Sequence, residues 1–172
     1  MNQADNFENL NIGSVMRRHM INQLNLKERQ WLLKAIIKMV LADTPIVKEE
    51  IEELKESILL YAGKEVKNFK EFLSRPEIRL PLRPLSNASY DDAFNILIEL
   101  ARIAAIDCRF VEEEEALLKE ILSLLDFDDK AIEKVVNWTK RLAVINDEEQ
   151  KLKQELKAHF QGIQQQVLVT KS

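Results

Sequence analysis

Residues 93–114 read AFNILIELARIAAIDCRFVEEE, and residues 31–50 read WLLKAIIKMVLADTPIVKEE. Each stretch opens on a helix that is apolar nearly all round, carried by Phe94, Ile96, Leu97, Leu100 and Ile103 in one and by Trp31, Leu32, Ile36, Met39 and Val40 in the other. A helix without a polar face belongs in the interior. Each helix ends on an Asp, followed after a gap of two by an apolar residue and then by an acidic amphipathic segment. Setting Asp43 on Asp107 overlays the chain on itself. Asp43-Thr44-Pro45-Ile46-Val47-Lys48-Glu49-Glu50 then answers Asp107-Cys108-Arg109-Phe110-Val111-Glu112-Glu113-Glu114, with seven residues from Asp to Glu in both. Two such units facing each other would bury their apolar helices together about a pseudo-twofold axis, with Ala35, Met39, Ala101 and Ala104 in the core.

Outward from these helices the periodicity stays helical and no segment alternates strictly, so the class is all-α: a single-domain bundle of about seven to eight helices. A first helix is expected from Ser14 to Leu24, a second over Leu26–Ala42, and a third over Val47–Ala62, with Ile51, Leu54, Ile58 and Leu59 inward and Gly63 as its stop. A short helix over Val66–Leu73 precedes a connector at 75–89 that holds Pro76, Pro81 and Pro84. Ser89 caps the next helix, which runs to Ile106, with Asp92 three residues on. Val111–Leu125 is one-sided, and Asp128 opens a helix with Ile132, Val135, Val136, Thr139, Leu142 and Ala143 in register. A last helix over 146–162 is expected to start at Asn146, with Glu149 as its capping partner and Leu152, Leu156 and Phe160 buried. Residues 163–172 read as a frayed tail. Repeat one spans about 26–74 and repeat two about 90–145.

The 172 residues, 46% of them hydrophobic, are enough to build a core without staples. One cysteine excludes an internal disulfide framework, and with two histidines also a Cys/His zinc site. The net charge of −4 argues against general affinity for nucleic acid. Lys34, Lys38, Glu99 and Arg102 interrupt the most apolar stretches, which are too short to span a bilayer. Met1–Leu10 show neither a basic nor an apolar signal region, so a cytoplasmic location is expected.

The duplicated motif resembles that of the TerB-like family, which is associated with tellurite resistance and also occurs as a domain of some membrane-anchored J-domain co-chaperones. The resemblance covers about Leu26–Ala143 and is strongest over Ala93–Leu125. The family motif is roughly Asp-Gly-x-hydrophobic-Ser/Thr-x-x-Glu after an Ala-rich helix. Asp107, Phe110 and Glu114 match it, as do Asp43, Ile46 and Glu50, while Thr44 and Cys108 replace the glycine and Val47 and Val111 the hydroxyl residue. This is the pattern of a divergent relative. The resemblance implies a non-enzymatic interaction domain that acts by protein docking, linked to stress resistance, with partners near the membrane and peripheral membrane association.

Read as residues, Glu50 and Glu114 sit where a Glu reaches back to the helix-cap N–H, and Asp43 and Asp107 are placed to make Asx turns. An Asp at the C-terminal end of a helix meets a negative dipole end, which N–H groups or a cation must offset. Two readings follow. The four carboxylates brace helix starts, or Asp43, Glu50, Asp107 and Glu114 together hold a divalent cation and make the domain cation-responsive. The run Glu112–Glu115 reads as a dipole-favoured first turn or as part of an acidic docking face. Catalytic machinery is not visible: His19 and His159 lack a positioned partner, and Cys108 sits beside a carboxylate that disfavours its thiolate. Trp31 and Trp138 read as core. Arg75, Arg79 and Arg83, interleaved with Leu80, Leu82 and Leu85, make either a surface strap or a basic contact face for an acidic partner or anionic membrane.

Overall fold

The computed structural model describes residues 19, 22–42, 48–62 and 69–169, and describes no side chain at 49, 50, 62, 69, 70, 77, 79 or 162–169. Among these residues the chain is all-helical. The elements are α1 (Leu26–Ala42), α2 (Lys48–Ala62), α3 (Phe69–Leu73), α4 (Pro76–Arg79), α5 (Tyr90–Ala104), α6 (Glu112–Ser123) and α7 (Asp129–Val169). The expected helix over 14–24 lies largely outside the described residues. No described helix is long and apolar enough to cross a membrane.

The two apolar helices pack on each other as the sequence demands. α1 also packs on α2 and α6, and α5 on α6 and α7. Ala35 and Ala101 have no exposed surface, and Met39 and Ala104 are buried with them. Leu32 and Ile36 of α1, Leu54 and Ile58 of α2, Ile96 and Leu100 of α5, and Leu118 and Ile121 of α6 complete one core. Local chemistry fixes where α1, α5 and α7 begin. At α1, Asn25 Oδ1 accepts from the Glu28 N–H (3.0 Å) while Glu28 Oε2 accepts from the Asn25 N–H (2.8 Å), a complete capping box. At α5, Ser89 Oγ accepts from the Asp92 N–H and donates to Asp92 Oδ2, and at α7, Asp128 Oδ1 accepts from the Ala131 N–H.

Four expectations need correction. The helix opened by Asp128 does not stop near Ala143: α7 is one helix of 41 residues, about 60 Å long, and passes straight through Asn146. No Gly or Pro interrupts it before Gly162, and the Asn146 side chain serves elsewhere. Leu152, Leu156 and Phe160 are therefore exposed rather than buried, because this half of α7 runs beyond the body. Leu59 and Phe94 face outward, the latter stacked on Tyr90 with ring centroids 6.3 Å apart, and Trp138 is only half-buried. The connector holds a helical turn, α4, which Pro76 starts.

Candidate functional site

The segment Asp107–Glu114 builds the turn from α5 to α6. Asp107 Oδ1 accepts from the Arg109 N–H (2.9 Å), the expected Asx turn, and Arg109 Nε donates to Oδ2 (3.2 Å). The Asp107 side chain is only 4% exposed, and these two donors offset its place at the negative end of α5. Between them Cys108 adopts φ +67°, a left-handed conformation that suits glycine and costs a residue with a Cβ. Glu114, buried in the first turn of α6, accepts from the Val111 N–H (2.9 Å); valine has no hydroxyl to return the bond, so half of the capping box stands. The Asn146 side-chain amide of α7 donates to the carbonyl of Ala105 (2.8 Å), which also accepts from the Cys108 N–H (3.3 Å) just past the end of α5.

Asp43 and the Glu50 side chain lie outside the described part, so of the four expected carboxylates the structure describes only Asp107 and Glu114. Both are engaged by the turn and the cap. Among the described residues no group of three or more His, Cys, Asp or Glu side chains is arranged to hold a metal ion. His19 and His159 are exposed, and Cys108 is half-buried.

A polar network that sequence reasoning missed joins α2 to α5. The Arg102 guanidinium of α5 donates to both oxygens of Glu53 on α2 (2.6 and 3.3 Å) and to both oxygens of Glu99 one turn back (3.1 and 3.3 Å). Tyr61 Oη donates to Glu99 Oε1 (2.6 Å) and Ser57 Oγ to Glu53 Oε1 (3.3 Å). Burial works against the charge on Arg102, but Glu99 and Glu53 outweigh it and hold the guanidinium above its ordinary value. Glu99 and Arg102, three apart on one helix, were a legible pair; Glu53, 49 residues away from Arg102, was not. The acidic first turn of α6 is divided: Glu112 and Glu113 are exposed, whereas Glu115 accepts from Lys119 and from Lys140 of α7 (2.6 Å each). Those two hydrogen bonds hold its carboxyl below the usual range.

The connector lies down on the body in part. Leu85 is buried and its N–H donates to the Leu124 carbonyl (2.9 Å), Leu82 is half-buried, and Leu80 stays exposed. Arg75 lies over the Phe72 ring (5.3 Å), Arg83 reaches into water, and the Arg79 side chain is outside the described part. Trp31, buried in α1, donates its indole N–H to the Arg83 carbonyl (2.7 Å) and so pins the strap to the helix. Beside this pin lies an open groove of about 420 Å³, lined by Lys27, Gln30, Trp31 and Lys34 of α1 and by Leu80–Arg83 of the connector. Its lining carries three cationic side chains and no carboxylate. A drier hollow of about 610 Å³ lies between the C-terminal end of α1, α3 and α4, lined by Ile37, Leu41, Leu73 and Ile78 among others.

Comparison with family models, with curated proteins and with solved structures finds no match to this chain.

Proposed function

We propose that this chain is a non-enzymatic helical docking module of TerB-like organisation, built of two related repeats, which receives an acidic segment of another protein in the groove beside Trp31. The groove carries the reading. Lys27, Lys34 and Arg83 surround a floor of Trp31, Pro81 and Leu82, a combination that attracts carboxylates and buries the apolar stems between them. Because the indole N–H is already bonded to the Arg83 carbonyl, the floor is preorganised and costs little ordering on binding.

The TerB-like part of the reading draws support from Cys108, whose left-handed backbone falls at the motif position where the family has glycine. The link to tellurite or stress resistance follows from that resemblance. A direct test titrates an oligo-glutamate peptide with a central leucine against a Trp138→Phe variant, leaving Trp31 as the fluorescent reporter. Saturable binding that weakens with salt is expected, together with its loss in Lys27→Glu/Lys34→Glu/Arg83→Glu at unchanged Tm. Equal binding by the variant and its parent refutes the groove. Preference for anionic vesicles over the peptide transfers the surface to a membrane role.

A further inference from the structure

The second half of α7 presents an apolar line with nothing against it among the described residues. Ile145, Leu152, Leu156 and Phe160 are 56%, 54%, 51% and 65% exposed, and every residue from Glu148 to Gln161 is exposed. At 100° per residue these four side chains share one stripe. The residues by which α7 meets the body, Ile132, Val136, Thr139, Ala143 and Asn146, form another. The two stripes are about 120° apart around the helix. The body therefore lies off to one side of the arm, where it neither covers the apolar line nor obstructs a partner that does.

The charges beside the line are sorted by sign. Glu148 and Glu155 flank it on one side, Lys153 and Lys157 on the other. In a parallel pair of helices related by a twofold axis, each flank meets the opposite flank of the other helix; in an antiparallel pair each meets its own kind. A second copy laid parallel thus sets Glu against Lys on both sides, and the spacing of five from Glu148 to Lys153 is that of a g-to-e′ ion pair across a coiled coil. Antiparallel pairing sets Glu on Glu and Lys on Lys. Lys153 is engaged with Glu149 of its own helix (2.6 Å), an exposed pair that exchanges at little cost. Glu149 interrupts the line, so close contact falls on Leu152, Leu156 and Phe160.

We infer that the α7 arm is a self-association element: two copies of this chain pair their arms in parallel through Leu152, Leu156 and Phe160, with the two bodies held on the outer sides. This rests on the arm alone and not on the groove. Sedimentation equilibrium of the full chain is expected to show a concentration-dependent dimer that Leu156→Glu converts to monomer with unchanged circular dichroism, Leu156 being exposed within the chain. Glu148→Lys and Lys153→Glu should each weaken the dimer at least tenfold, and the double swap should restore it. In a Cys108→Ser background, Leu156→Cys is expected to oxidise readily to a disulfide dimer, because pairing through this stripe brings the two 156 positions together. A wild type that stays monomeric at hundreds of micromolar overturns the inference. So does a dimer that is indifferent to the charge swaps, or one whose 156 positions fail to cross-link.

Discussion

Arg102→Met is the substitution whose cost the structure sets most directly. Methionine keeps the packing of the arginine stem but removes the only cation that contacts both Glu53 and Glu99 in the described network. Their side chains are 7% and 6% exposed, so each carboxylate left behind is a buried charge. Breaking a fully buried pair from one side costs about 3–5 kcal/mol. Arg102 keeps 34% of its side-chain surface in water, and screening brings the expectation to about 2–3 kcal/mol. For a chain of this size that corresponds to a fall in Tm of about 4–12 °C. Urea unfolding followed by circular dichroism measures it, with a lower midpoint at unchanged slope as the signature of lost stability rather than altered compactness. Glu53→Gln with Glu99→Gln, added to Arg102→Met, should return part of the loss by removing the two buried charges that Arg102 offsets while keeping hydrogen-bonding capacity. A single variant within about 0.5 kcal/mol of wild type would refute the view that this network ties α2 to α5.

Cys108→Gly is expected to raise stability by up to about 1 kcal/mol by relieving the left-handed backbone at φ +67°, and Cys108→Val to lower it, since a β-branched residue resists that conformation; matched thermal melts decide both. Glu115, held below its usual range by Lys119 and Lys140, contributes stability that is present above the unfolded carboxylate value of about 4.3 and lost as pH falls through its lower folded value. Lys140→Gln should therefore be less stable than wild type near neutrality, with the gap closing below about pH 4 in a pH series of urea titrations; a gap independent of pH would show that the α6–α7 bridge is inert.

What could be read in the sequence follows the range of each signal. The burial of Ala35 and Ala101 was legible because an all-apolar helix has one destination, and Ser89 and Asp128 were legible because capping is a contact over three residues. Asn25 with Glu28 carries the same signature, and it was overlooked beside the stronger apolar run that follows. Asn146 with Glu149 carries it too, and there it misled: the pattern is compatible with a helix interior, and the Asn amide is spent on the Ala105 carbonyl, 41 positions back. The helical spacing of Leu152, Leu156 and Phe160 was sound, but periodicity says only that a face is apolar, not which surface covers it. The motif segment from Asp107 to Glu114 is a turn and a cap, as its short spacing allowed. Its Arg109 guanidinium contact and the Glu53–Arg102 tie needed three-dimensional neighbours that no local pattern names.

Because α7 crosses from body to arm without a break, the direction of the arm's apolar line is set by residue count alone. Inserting a single residue between Asn146 and Leu152 would rotate everything beyond it by about 100° and lift it by about 1.5 Å. The same stripe would then look in a different direction relative to the body, with no contact in the core disturbed. Removing seven residues would shorten the arm by about 10 Å and return the line to within about 20° of its present bearing. Length and aim in this protein are thus separate dials, one turned in sevens and the other in ones, and both can be changed without touching a residue the body needs in order to fold.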